Sequence, residues 1–204
     1  MIDISLSPNL HEIEKWLGPE FAKQAKFALA KSLSQTAVGA KTRLIGTLPA
    51  DFTIRSKWTA GSIRTTPATK TTLEAQVGST ASYMALQATG GPKVSRSGGN
   101  VAVPVAARPT RQTKTTPATF PSLLLARKRW AFIAPTDSGV MGVWMLQGSK
   151  KRPHIRLMWI LKPRVEIKPT WDFSGQVETF VALDWPRRIK AALDAALKDP
   201  GKKS

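Results

Sequence analysis

The sequence predicts an α+β fold with amphipathic N-terminal helices, a central antiparallel β-sheet carrying a long basic loop, and a C-terminal helix. Three patterns carry this expectation: a helical stripe from Phe21 to Leu44, two strand-period runs around a basic turn between Val140 and Lys162, and a second helical stripe from Val177 to Leu197. At 204 residues the chain reads as a single domain spanning 1–204. Within it, 9–46 is the helical part, 50–170 the β-rich part with an extended arm at 107–120, 174–198 the C-terminal helix and 199–204 a loose tail.

Taken in order, Glu12 to Leu17 predicts a short helix closed by Gly18, with Pro19 suited to the first turn of the next. Phe21, Ala25, Ala28, Leu29, Leu33, Thr36, Ala40 and Leu44 then recur at spacings of three and four, opposite Lys23, Lys26, Lys31 and Lys41. The many alanines give high helix propensity and little bulk, so another backbone can come close. Gly46 and Pro49 are expected to end this helix.

Phe52 to Arg55 and Leu73 to Gly78 alternate as strands do, and Ser82 to Gln87 suits a single helical turn before Gly90-Gly91. Val101, Val103 and Val105 alternate with Ala102, Pro104 and Ala106, and Pro104 points to an edge strand. Val140, Gly142, Trp144 and Leu146 alternate against Met141, Val143, Met145 and Gln147. After a basic turn at Gly148 to Pro153, Ile155, Leu157, Trp159 and Leu161 are expected on one face and Arg156, Met158, Ile160 and Lys162 on the other. Apolar residues on both faces imply a sheet covered on both sides, by helices or by a neighbouring subunit. Trp144, Trp159, Met141 and Met158 are therefore the candidate subunit-interface residues. In the C-terminal stripe, Pro186 either kinks the helix or sits in the first turn of a helix capped by Asp184.

Thirty-one Lys and Arg stand against thirteen Asp and Glu, a formal charge of +18, which exceeds what solubility asks of a chain. The distribution is uneven. Glu74 is followed by no carboxylate until Asp137, and the next is Glu166. The candidate contacts to DNA or to acidic protein faces are Lys93, Arg96, Arg108, Arg111, Lys114, Arg127, Lys128, Arg129, Lys150, Lys151 and Arg152, within a segment that also holds Arg156, Lys162 and Arg164. A merely solvated basic face is the plainer reading of the same residues.

Signals for chemistry are sparse. The two histidines, His11 and His154, lack a neighbouring catalytic motif, and His154 stands among Lys151, Arg152 and Arg156. The sequence contains no Gly-x-Ser-x-Gly elbow, phosphate loop, dinucleotide fingerprint or His-Glu-x-x-His, and it has no cysteine. A non-enzymatic protein without metal or cofactor is expected. No secretory leader and no apolar run long enough for a bilayer is read, so a cytosolic product is expected. Arg and Lys interleaved with Trp130, Phe132, Trp144 and Trp159 suit phosphate contact with base stacking, although tryptophans at strand period are more often core.

The segment Val77-Gly78-Ser79-Thr80-Ala81-Ser82-Tyr83-Met84-Ala85-Leu86-Gln87-Ala88-Thr89-Gly90-Gly91-Pro92, followed by Val101-Ala102-Val103-Pro104, resembles the strand, short helix, double glycine and Val-Pro strand of phage minor tail protein Z and related tail completion proteins. The Ala-rich helix from Phe21 to Leu44 and the helix from Val177 to Leu197 are similar to that group in plan. The resemblance implies a structural virion protein of the tail and neck region, assembled in the host cytoplasm. It would form a homo-oligomeric ring, sixfold if the tail tube sets the symmetry, seated on tail tube, terminator or neck subunits with possible contact to packaged DNA. The rival expectations are a nucleic-acid-binding protein acting outside any virion and a head completion or capsid-associated protein.

Overall fold

The computed structural model describes residues 2–6, 19–108, 110, 113–127 and 130–198. The short helix expected at Glu12 to Leu17, together with His11, Gly18, Arg111, Lys128, Arg129 and the tail at 199–204, lies outside the described residues, as do the side chains of Phe21, Arg127 and Leu197. Helices and antiparallel sheets are mixed as α+β. In chain order they are β1 (Ile2–Leu6), α1 (Pro19–Asp51), α2 (Lys57–Gly61), β2 (Ile63–Thr66), β3 (Ala75–Ser79), α3 (Ser82–Thr89), β4 (Gly91–Val94) and β5 (Val101–Pro104). A 3-10 turn at Pro117–Thr119 follows, then α4 (Pro121–Arg127), β6 (Ala131–Pro135), β7 (Met141–Ser149), β8 (Arg152–Lys162), β9 (Arg164–Ile167) and α5 (Phe173–Lys198). The strands form three small sheets rather than one, ordered β1-β3-β2, β4-β9 and β5-β8-β7-β6.

The chain divides into two compact units, one made of Met1–Phe52, Lys57–Ala88 and Thr170–Ser204, the other of Thr53–Ser56 and Thr89–Pro169. The first is organised by α1. Its predicted stripe is buried at Ala25, Ala28, Leu29, Leu33, Thr36, Ala40 and Leu44, and the burial extends to Ala37 and Leu48. Lys23 and Lys31 are exposed as expected, while Lys26 and Lys41 are half-buried. One cluster joins Ala40, Leu44 and Leu48 to Ile63, Val77, Met84, Trp171, Phe173 and Val177; a second joins Leu29, Leu33 and Ala37 to Leu73 and Ala75. The α5 residues Phe180 and Val181 pack on the first, and Trp185 and Ile189 on the second, so the C-terminal stripe covers α1 along its length. Ala37, Gly39 and Ala40 leave room for this, and a Cβ on Gly39 would stand 2.7 Å from the Phe180 ring.

Several local expectations are overturned. The helix α1 does not stop at Gly46 or Pro49 but runs to Asp51, and Phe52 N–H still donates to the Leu48 carbonyl at 2.9 Å. Buried Leu48 fixes this last turn to the core, and Pro49 removes one backbone donor on an exposed side. Phe52 to Arg55 is not a strand: Phe52 continues from α1, and its ring meets Trp171 edge-on at 6.1 Å, so a tertiary contact outweighs local alternation. The strand β1 stands ahead of the helical part, with Ile4 opposite Val77.

Pro186 lies inside an unbroken α5. The carbonyl it deprives of a partner belongs to Ala182, which is exposed and open to water. Asp184 does not cap a helix but pairs with Arg188 one turn on. The cap is Asp172, whose carboxylate accepts from Gly175 N–H at 3.0 Å.

In the second unit, β7 and β8 form the predicted hairpin through a two-residue turn, since Ser149 is opposite Arg152. The strand β5 lies at the edge of its sheet, as Pro104 implied. Val105 N–H bonds the Met158 carbonyl, so by the two-residue period the ring nitrogen of Pro104 faces the open edge and costs the ladder no donor. Two successive β7 residues, Val143 and Trp144, face Trp159 and Leu157, which leaves Met158 as the extra residue of a β-bulge. The bulge corrects the predicted faces of β8. Ile155 and Leu157 share one face with Trp144 and Leu146, while Trp159 and Leu161 lie on the other with Val143.

Glycine positions in α1 give a paired prediction. Gly39→Ala should lose stability through overpacking against Phe180, whereas Gly46→Ala, with nothing within 4 Å, should gain about 0.5–1 kcal/mol from helix propensity. Denaturant unfolding of both variants checks this, and equal shifts would refute the close α1–α5 approach. Asp172→Ala should cost about 1 kcal/mol through loss of the α5 cap, measured the same way.

Candidate nucleic-acid interface

Charge concentrates in the second unit, where residues 89–169 carry fifteen Lys and Arg against two carboxylates. Both carboxylates are placed away from the hairpin turn. Glu166 is held by Arg164 on β9, and Asp137 lies in the turn before β7, at the end opposite Ser149.

The pairing register shows what the hairpin does with its charges. β6 pairs with β7 from Met141 to Met145, and β5 pairs with β8 from Trp159 to Lys162. Beyond them, Leu146 N–H still donates to the Trp130 carbonyl at 2.9 Å, and Gln147, Gly148 and Ser149 pair with His154, Pro153 and Arg152 with neither flanking strand opposite them in the sheet. At about 3.4 Å per residue this is a two-stranded ribbon of about 10 Å ending in Lys150 and Lys151. Residues 148 to 156 are all exposed.

Directly opposed residues share a face, so the ribbon has two unlike sides. Arg152, His154 and Arg156 line one side with Ser149, Gln147 and Met145; Pro153, Ile155 and Leu157 line the other with Gly148, Leu146 and Trp144. The Trp144 indole N–H donates to the Ala134 carbonyl at 3.0 Å, which ties that ring to the apolar side. The turn depends on Gly148, whose φ of 93° is left-handed and whose Cβ, if present, would lie 2.4 Å from the Arg152 carbonyl oxygen.

The ribbon thus gathers Lys150, Lys151 and Arg152 from among the sequence candidates and adds His154 and Arg156. Their spacing of two from Arg152 was the available signal. The remaining described candidates are distributed elsewhere in the same unit. Lys93 is exposed on β4, Arg96 lies in the turn after it, and Arg108 and Lys114 lie in the connection from β5 to α4. In that connection, whose residues 107–120 are expected as an extended arm, the Thr113 hydroxyl bonds both Thr110 N–H and the Thr110 carbonyl, and a 3-10 turn forms at Pro117–Thr119. Ala107, where the expected arm begins, is buried.

The subunit-interface candidates need a correction. Met158 and Trp159 are buried in a core with Ala107, Leu124 and Val143, and the Trp159 indole N–H donates to the Thr119 carbonyl at 2.7 Å. Their surface is already spent within the unit. Met141 remains exposed and Trp144 half-buried, and the outward face around Trp144 leaves Phe132 and Ile155 exposed.

In the first unit, grooves of about 410 and 510 Å³ follow the α1–α5 pair. The carboxylates lining the first already serve the fold, Asp172 as a cap and Asp184 as the partner of Arg188. Among the described residues no group of three or more His, Asp or Glu could hold a metal ion, and no helix is long and apolar enough to cross a membrane.

No protein-family model, curated protein or solved structure matches the chain.

Gly148→Ala tests the ribbon turn. Amides of residues 147 to 152 should exchange about tenfold faster, from a local strain of about 1–2 kcal/mol, while the global unfolding midpoint holds. Unchanged exchange at these amides would contradict the described turn.

Proposed function

We propose that the chain is a non-enzymatic structural protein of a tailed-phage virion, a tail completion or minor tail protein that joins the head-proximal end of the tail to the neck. The observation that carries the reading is the order of elements across the segment that resembles that group. Residues 77 to 104 form the end of β3, the helix α3, Gly90 and Gly91 with φ of 71° and 118°, the strand β4 that begins at Gly91, and the Val-Pro strand β5. The long α1 and α5 supply the two flanking helices of the same plan.

The physical properties of the molecule support a role as one part of a larger assembly. A sheet face that leaves Phe132 and Ile155 exposed is suited to coverage by a neighbour, and a subunit ring would provide one. A strongly basic second unit is suited to acidic neighbours or to packaged DNA. Its one-signed surface also favours a DNA-binding role outside a virion, which is the second reading.

The two readings separate in an assembly experiment. Removing the chain from the phage that encodes it should leave filled heads and finished tails unjoined. Complementation with Arg108→Ser, Arg111→Ser and Lys114→Ser together should lower joined, infectious particles by about tenfold while the unfolding midpoint is kept. Normal numbers of joined particles without the chain would end the structural reading.

A further inference from the structure

We propose that the β7–β8 ribbon is a duplex-DNA-contacting arm that reads the phosphate backbone and not the base sequence. The proposal deepens the reading above, on which it rests for its setting beside packaged DNA; the contact itself is a property of the isolated chain.

Four observations point to this partner. Lys150, Lys151, Arg152, His154 and Arg156 are all exposed on one ribbon. Among the described residues no carboxylate pairs with any of them, because the nearby acids are engaged at Arg164 or sit beyond the far end of β7. Such a cluster repels itself and gains most from a polyanion whose condensed counterions it can release.

Shape favours a duplex. The free part of the ribbon is two strands wide, a cross-section that the DNA major groove, about 12 Å across, admits. Within the ribbon, Arg152 and Arg156 fall on one side with His154 between them, so they can face phosphates while Ile155 and Leu157 face away.

Composition of the charged side excludes the other common modes. A single-strand platform needs aromatic rings interleaved with the cations, yet that side holds Ser149, Gln147 and Met145. Trp144 is on the opposite side and bonded to Ala134. Lys and Arg side chains at the end of an exposed two-residue turn have no neighbouring scaffold to fix bidentate geometry on a base edge. Phosphate contact is what remains to them.

Anisotropy titration of the full chain on a fluorescent duplex of about 30 base pairs, between about 50 and 200 mM salt, tests the arm. The wild type should bind mixed sequences alike. Lys150→Ser, Lys151→Ser and Arg152→Ser together should weaken binding by about tenfold or more at the low-salt end and lower the log–log salt slope by about 2–3. A charge-matched control, Lys23→Ser, Lys31→Ser and Lys41→Ser on α1, should change the slope little. Equal loss in both triple variants would show a whole-molecule charge effect and overturn the arm, as would absence of duplex binding or a preference for single strands. None of these outcomes bears on whether heads and tails join, so failure of the arm and failure of the virion role are read separately.

Discussion

The close packing of α5 on α1 is the constraint on which the first unit depends. It exists because α1 presents Ala37, Gly39 and Ala40 where bulk would hold the helices apart, and because Phe180 fills the space that Gly39 leaves. The same α1 residues that receive α5, notably Leu44 and Leu48, also meet Ile63 and Val77 of the sheet and Trp171 and Phe173 at the start of α5. One helix therefore ties sheet and C-terminal helix into a single core. Two of the polar groups that enter it are matched, since the Ser62 and Ser79 hydroxyls bond each other at 3.0 Å and Ser79 also accepts from Ala81 N–H, whereas the Thr36 hydroxyl and the Trp171 indole N–H are buried without a hydrogen-bond partner among the described residues.

In the second unit the corresponding constraint is the bulge at Met158. Without an extra residue, Ile155 and Leu157 would share the face of Trp159, and the ribbon would carry its apolar side into the core face. With it, Met158 and Trp159 both enter the core while the strand beyond turns Arg152, His154 and Arg156 onto that face and Ile155 away from it. A packing device thus sets the polarity of the projecting ribbon, which links the core to the surface on which function is proposed.

Much of this was legible in residue spacing. The stripes of α1 and α5, the hairpin and the edge position of Pro104 follow from periods of 3.6 and 2 and from the missing proline N–H. The failures share a cause, which is long-range packing. Pro49 was read as a stop because its local rule says so, but Leu48 is held by the core. Phe52 to Arg55 alternates in sequence, yet Phe52 is claimed by Trp171. β1 alternates at Ile2, Ile4 and Leu6, a run too short to stand out beside the helical pattern that follows it. The bulge leaves no mark in the sequence, because a shift of register is decided by which strand lies opposite. The basic site was visible as composition, but its restriction to one side of a ribbon emerged only with that register.

The second unit leaves apolar residues exposed on one sheet face and carries a cationic ribbon beside it, the two surfaces for which neighbours are proposed. A tail completion protein at the junction of head and tail would have subunits to cover the first and DNA to meet the second. For the proposed tail role, cryo-electron microscopy of intact phage particles prepared from the source of the chain is the most direct test. The account predicts a ring of density at that junction into which the two units fit, with the Lys150–Lys151 turn directed toward the DNA path. Particles in which this chain is found nowhere at the junction would contradict it.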